Sequence, residues 1–175
     1  IAYLISKKYK KISPLSLNIK SPKETGKSFI SNSKLKVNFF SKYVDYPVIS
    51  DDSGLRIEAL NNKPGIYSAR LAKKHGSFHK AMKFILKKMK QKKNRKATFV
   101  CSLSYKNDYG KIISVEGRLK GNIANKILGK RGFGYDAIFI PIKKKITFGQ
   151  MSQSKKIKMD HRYIAFQKLK KKIKI

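Results

Sequence analysis

The pattern most informative about the fold lies in the middle of the chain and reads TFVCSLSYK (98–106), NDYG (107–110) and KIISVEGRL (111–119). The two outer segments are rich in β-branched and aromatic residues, which favour strands. The four residues between them include Gly110, as in a hairpin loop. This stretch therefore predicts a β-hairpin of two long strands.

Helices and shorter strands surround the hairpin. Ser77 has the chemistry of an N-cap, and apolar residues follow it at helical spacing, with lysines on the other face. Helices are also predicted over 27–42 and from His161 onward, and short strands at 47–49, 55–60 and 137–140. Helices and strands that interleave in this way, with an inserted hairpin, predict an α/β fold with a mixed β-sheet and flanking helices. No Pro/Gly/Ser-rich linker divides the chain, so we expect a single domain over residues 1–175.

The charge of the chain is extreme, with 43 Lys and Arg against nine Asp and Glu, a net charge of +34. Such a balance suggests a polyanionic partner such as nucleic acid. However, only six of these residues are Arg, the residue that grips phosphate bidentately. Lys, Ile, Phe, Tyr and Asn are abundant together, as drift toward AT-rich codons would produce. We therefore do not expect nucleic acid as a partner, although the field would attract nucleoside triphosphates.

The remaining bulk features narrow the class of protein. Hydrophobic residues make up 41% of the chain, which is enough for a packed core. No apolar run approaches the roughly 20 residues that a membrane helix needs. The single cysteine, Cys101, lies in an apolar stretch and is interpreted as a buried thiol. These features fit a protein of the reducing cytoplasm with no membrane association.

Acidic residues are scarce, so each can be weighed individually. Asp51 and Asp52 follow the short strand 47–49 and precede Ser53-Gly54, which predicts a tight turn. Adjacent carboxylates suit Mg²⁺, and one of them can take a proton from an attacking water. Glu24 precedes the helix over 27–42 and is either a further metal ligand or an acid that favours the helix N-terminus. For all three acids, an ordinary role in a turn or cap remains the alternative.

A glycine-rich stretch, Gly132-Phe133-Gly134-Tyr135-Asp136, follows in the last third of the chain. Its glycines indicate unusual backbone angles or a close approach of a ligand to the backbone. Its aromatic residues offer a flat surface for a base, and Asp136 can accept hydrogen bonds from a ring N–H. The alternative is a glycine-rich turn with its aromatic rings in the core.

These motifs occur in one order and spacing that resembles a known family. The chain resembles the inosine/xanthosine triphosphate pyrophosphatases, which act on non-canonical purine nucleotides. The matching segments cover nearly the whole chain from about Pro22, and they are Glu24-Thr25-Gly26 with Phe29 and Asn32, Asp51-Asp52-Ser53-Gly54-Leu55, Pro64 to Arg70, Phe99-Val100-Cys101, Gly132 to Asp136 with Phe139 and Pro141, Met151-Ser152, and His161-Arg162.

The resemblance implies an inosine triphosphatase-like α/β fold, with an elongated mixed sheet and two lobes around a central cleft. It implies hydrolysis of ITP, dITP and XTP to the monophosphate and pyrophosphate, with Mg²⁺ as the cofactor and a homodimer as the assembly. Carried over by position, Asp52 is the general base and a metal ligand, and Glu24 and Asp51 complete the metal site. The substrate-binding residues implied in the same way are Ser53, Phe133, Gly134, Tyr135, Asp136, Lys156, His161 and Arg162.

Members of this family begin with a strand and a Ser/Thr-x-Asn-x-x-Lys loop that holds the triphosphate. No such run precedes Glu24, so we expect this chain to lack that N-terminal strand and phosphate-binding loop. Two other classes of function stay open on the sequence. One is a basic nucleic-acid-binding protein without turnover, and the other is a Maf-type nucleotide pyrophosphatase with a different base preference.

Overall fold

The computed structural model describes residues 2–173 and contains helices α1 (Phe29–Phe40), α2 (Ser68–Lys74), α3 (Phe78–Met89), α4 (Gln153–Ile157) and α5 (His161–Ile173). The strands in these residues are β1 (Val48–Ile57), β2 (Lys63–Pro64), β3 (Lys96–Lys106), β4 (Ile112–Ile123) and β5 (Phe139–Pro141). They form a sheet in the order β2-β1-β3-β4-β5. The pairs β1–β2 and β4–β5 are antiparallel. The predicted α/β fold with flanking helices is confirmed.

The predicted hairpin is confirmed as β3 and β4, which are longer than expected at their outer ends. Its loop closes through Asn107, whose backbone N–H donates to the Lys111 carbonyl and whose carbonyl accepts from the Gly110 N–H. Cys101 lies in β3 and is fully buried, as predicted.

The Asp51-Asp52 segment differs from the prediction, because no turn occurs there. β1 runs from Val48 through both acids and Gly54 to Ile57 as one continuous strand. Side chains alternate between the two faces of a strand, so Asp51 and Asp52 point in opposite directions. The turn prediction was wrong because the short-range signal of Asp-Asp-Ser-Gly is overridden by the pairing of β1 within the sheet.

The chain forms two compact units. The first contains the chain up to Asp52, Cys101–Gly117 and the chain from Arg162 onward. Its core packs α5 on the hairpin, with Cys101, Leu103, Val115, Ala165, Phe166 and Leu169 buried. Helix α1 begins at a capping box in which Ser28 and Ser31 each satisfy the other's backbone N–H.

The second unit contains Ser53–Val100 and Arg118–His161. Its core is built on α3, which begins after the N-cap Ser77 as predicted and buries Met82, Ile85 and Met89. The lysines of α3 lie on the opposite face. This stripe packs with Phe99, Phe139 and Phe148 in one apolar cluster, so its role is core packing.

No helix among residues 2–173 has the length and apolar character needed to cross a membrane.

Candidate active site

Two carboxylates in the first unit converge on one ammonium group. The Lys36 Nζ lies 3.0 Å from Glu24 Oε1 and 3.2 Å from Asp52 Oδ1. The side chains are 14% exposed for Lys36, 28% for Glu24 and 6% for Asp52. Helix α1 supplies the lysine, the loop before it supplies Glu24, and β1 supplies Asp52. A largely buried cluster of this kind concentrates charge where access of water is limited, as active sites often do.

Asn32 ties this cluster together. Its side-chain amide donates to Asp52 Oδ2 at 3.1 Å, while its Oδ1 accepts from the Gly26 N–H at 2.8 Å. The Gly26 backbone packs closely on the helix start, because a Cβ there would meet the side chains of Ser31 and Asn32 and the Asn32 nitrogen. The glycine therefore allows the Glu24 loop to lie against α1.

Burial and neighbouring charges change the pKa values of Asp52 and Lys36. Desolvation raises the pKa of Asp52 above its usual range, and it outweighs the opposing effects of the Lys36 charge and the Asn32 hydrogen bond; the nearby Glu24 charge adds to the rise. For Lys36, burial lowers the pKa, but the charges and hydrogen bonds of Asp52 and Glu24 outweigh it, so that the pKa is raised overall. Lys36 is thus an ammonium at neutral pH, and Asp52 is a stronger base than a free aspartate.

The structure places Glu24 and Asp52 on the same lysine but gives Asp51 a different neighbour. Asp51 Oδ2 lies 3.6 Å from Arg162 Nε, with the two side chains 34% and 22% exposed. In residues 2–173, no three His, Cys, Asp or Glu side chains are placed to hold one metal ion. The pair Glu24 and Asp52 nevertheless fits Mg²⁺, which commonly takes one or two carboxylates plus waters and substrate phosphates.

The sequence reasoning missed Lys36 and gave no role to Asn32. Asn32 and Lys36 are four residues apart, so they lie on one face of α1, the helix that follows Glu24. This spacing could have indicated that the two side chains act together. It was hidden because lysine is so common in this chain.

The glycine-rich stretch lines a pocket of about 580 Å³ in the second unit. Phe133 is 64% exposed and packs edge-to-face with the Phe78 ring at a centroid distance of 5.1 Å. Its exposed ring has the surface that base stacking requires. Gly134, which follows it, also lines the pocket and has a positive φ of 65°.

Asp136 is the buried polar centre of this pocket. Its Oδ2 accepts from the Phe133 N–H at 2.6 Å and from Lys156 Nζ at 2.7 Å. Gly132 has a positive φ of 82°, and a Cβ there would clash with the Asp136 carboxylate. The glycine therefore permits the turn and leaves room for the acid. Lys156 also lies over the Phe148 ring, 5.5 Å from its centroid.

The Tyr135 side chain belongs to the core and not to the pocket surface. It is 2% exposed, and its hydroxyl donates to the Ser68 carbonyl at 2.8 Å. Burial raises the pKa of this phenol far above its usual range. The expectation of a substrate contact through this side chain is therefore not supported, and only the Tyr135 backbone remains available.

The other predicted substrate residues are placed as follows. His161 is the first residue of α5, is 2% exposed, and stacks on Phe99 with ring centroids 4.7 Å apart and planes 9° apart. Arg162 follows it and forms the ion pair with Asp51. Ser53 is half-buried in β1, directly after Asp52.

Comparison with known proteins identifies the family. The model of the Ham1 family matches residues 2–172. The dITP/XTP pyrophosphatase of Dictyoglomus thermophilum is 41% identical over 167 residues, which are 92% of this chain and 80% of the relative. That of Caulobacter vibrioides is 37% identical and covers 97% of this chain and 89% of the relative. The Ham1 protein of Staphylococcus aureus has a solved structure with a TM-score of 0.85 and 35% identity, covering 92% of this chain and 84% of that one.

Proposed function

The chain belongs to the Ham1 family, and we propose that it hydrolyses the non-canonical purine nucleoside triphosphates ITP, dITP and XTP to the monophosphate and pyrophosphate. Relatives about 40% identical over most of the chain are dITP/XTP pyrophosphatases. The observation that carries the proposal is the convergence of the half-buried Glu24 and the buried Asp52 on Lys36. Such a set suits metal-assisted transfer from a phosphate chain.

Asp52 is the proposed general base. Its pKa is raised by burial, which makes the ionised carboxylate a better proton acceptor near neutral pH. The Asn32 amide fixes one of its oxygens. The Asp52 carboxylate would orient an attacking water and accept its proton.

Glu24 and Asp52 are the proposed ligands of Mg²⁺. When bound, Mg²⁺ would neutralise negative charge on the triphosphate oxygens. Lys36 would hold the two carboxylates in place and add positive charge near the phosphates. Asp51, the third ligand that the resemblance implies, would instead orient Arg162 through their ion pair.

Base recognition is assigned to the pocket of the glycine-rich stretch. Phe133 would stack on the purine, with Gly134 and the Tyr135 backbone beside it. Asp136 and Lys156, together with Ser53, His161 and Arg162, would provide the polar contacts to the substrate. A donor that pairs with a 6-oxo group is left unpaired by the 6-amino group of adenine, and a buried unpaired donor costs about 1–3 kcal/mol.

We further propose that the chain acts in the cytoplasm, where nucleotide pools are maintained, as a homodimer of single-domain subunits. Light scattering coupled to size-exclusion chromatography would test the assembly, and a monomer at all concentrations would contradict it.

The activity is tested by measuring pyrophosphate release from ITP, XTP, dGTP and ATP with and without Mg²⁺. We expect release from ITP and XTP that requires Mg²⁺ and is lost in Asp52→Asn. Equal rates in wild type and variant would disprove the site. Salt-sensitive DNA binding without hydrolysis of any nucleotide would favour a nucleic-acid-binding protein, and preference for another base would favour the Maf-type alternative.

A further inference from the structure

A network of buried serine hydroxyls lies behind the proposed catalytic cluster, in the same unit. Ser33 of α1, between Asn32 and Lys36, is 0% exposed, as are Ser102 and Ser104 of β3. Ser33 Oγ lies 3.0 Å from Ser102 Oγ and 2.8 Å from Ser104 Oγ. These contacts join residues about 70 positions apart in the chain, so they fix α1 to the hairpin.

The hydroxyl contacts of this network extend to the backbone and to a fourth serine. Ser33 Oγ lies 3.0 Å from the Ile30 carbonyl and Ser102 Oγ lies 3.4 Å from the Val115 carbonyl, and both carbonyls can only accept. Ser104 Oγ lies 2.8 Å from Ser114 Oγ of β4. Each hydroxyl has one proton and can accept two hydrogen bonds, so the protons of this network can be arranged in more than one way. In every arrangement the Ser33 hydroxyl keeps its three neighbours.

The backbone of Ser33 is held as well. Ser50 of β1 donates its hydroxyl to the Ser33 carbonyl at 2.6 Å. Ser50 lies two residues before Asp52 and its side chain points to the same face of the strand. Ser33 therefore links α1, which carries Asn32 and Lys36, to the strand that carries Asp52.

We propose that Ser33 is a positioning residue for the proposed hydrolysis. Its hydroxyl network holds α1 in the position relative to β1 and β3 that lets Asn32 and Lys36 contact Asp52. This proposal rests on the function proposed above. An apolar residue at position 33 would leave α1 attached by packing but without a fixed position along β3. Small displacements of catalytic groups are costly, since about 1 Å can reduce a rate by about a hundredfold.

The test compares Ser33→Ala with Val37→Ala, a substitution of a fully buried residue one turn further along α1. Val37→Ala loosens the packing of the same helix but removes no hydrogen bond. We expect Ser33→Ala to lower the kcat of ITP hydrolysis about tenfold to a hundredfold while KM stays within about twofold. Val37→Ala should leave kcat within about twofold of wild type.

A second measurement does not depend on activity. The Gly26 N–H donates to Asn32 Oδ1, so its hydrogen exchange, followed by NMR without metal, reports whether Asn32 stays in place. We expect exchange at Gly26 to be about tenfold faster in Ser33→Ala than in wild type, and unchanged in Val37→Ala.

Each outcome decides the matter. Wild-type kcat and Gly26 exchange in Ser33→Ala would overturn the proposal, as would equal effects in Val37→Ala. If Ser33→Ala does not fold, Ser104→Ala, which removes one hydrogen-bond partner of Ser33 and leaves the sequence of α1 unchanged, is judged by the same two measurements. If wild type releases no pyrophosphate, the proposed function fails, and the Gly26 exchange alone decides the role of Ser33.

Discussion

Replacing Lys36 by Met removes an ammonium that lies 3.0 Å from Glu24 Oε1 and 3.2 Å from Asp52 Oδ1. The methionine keeps much of the apolar length of the side chain, so the change is mainly electrostatic. Two carboxylates that repel each other then remain with little access to water. Breaking a buried ion pair costs about 3–5 kcal/mol, and we take about 3 kcal/mol because the Glu24 side chain is 28% exposed.

For a chain of this size, each kcal/mol lowers the melting temperature by about 2–4 °C, so we expect a decrease of about 6–12 °C without metal. Mg²⁺ should bind to Glu24 and Asp52 more tightly once the Lys36 ammonium is gone, and should stabilise the variant by mass action. Addition of Mg²⁺ should therefore raise the melting temperature of Lys36→Met more than that of wild type.

Differential scanning calorimetry with EDTA and with MgCl₂ measures both effects. Lys34→Met is the matched control, since Lys34 is exposed on the same helix two residues earlier; its melting temperature should stay within about 2 °C of wild type in both conditions, as is usual for a surface substitution. A Lys36→Met variant that melts like the control without metal, or equal stabilisation of wild type and variant by Mg²⁺, would contradict this role of Lys36.

Three further predictions concern the proposed site. Asp52→Asn should lower kcat for ITP at least about a hundredfold, because the proton acceptor is lost; pyrophosphate release measures this, and a smaller decrease contradicts the role of base. Phe133→Ala should raise KM for ITP about fivefold to a hundredfold through lost stacking without lowering the melting temperature, because the ring is 64% exposed; an unchanged KM in steady-state kinetics argues against stacking. In metal-free protein, the Asp52 carboxyl should titrate above 3.8. The folded state then binds this proton more tightly than the unfolded state does. The contribution of Asp52 to the free energy of unfolding is therefore complete at a pH below its pKa in the unfolded state, and it is lost as the pH rises through its pKa in the folded state. Carbon-13 NMR of the carboxyl group gives the midpoint, and a value below 3.8 would contradict the effect of burial.

Local patterns in the sequence were enough to predict several elements. The hairpin of β3 and β4 follows from β-branched and aromatic residues on both sides of a Gly-containing loop. The amphipathic helix α3 follows from helical spacing and a serine N-cap, and all of these signals act between neighbouring residues. The family also follows from the sequence, because Asp51-Asp52-Ser53-Gly54 and Gly132 to Asp136 occur in a fixed order and spacing.

Which of these residues meet depends on the tertiary structure. Asn32 and Lys36 contact Asp52 from 20 and 16 positions away, and no local pattern encodes such a pairing. Asp51 and Asp52 look equivalent in the sequence, but the strand directs them to opposite faces, so one joins Lys36 and the other Arg162. Ser33 looks like any polar helix residue until packing places it against Ser102 and Ser104. The sequence thus determined the chemistry present in the chain, and the packing of α1 on the sheet determined which groups act together, because contacts between distant residues depend on how whole elements are placed.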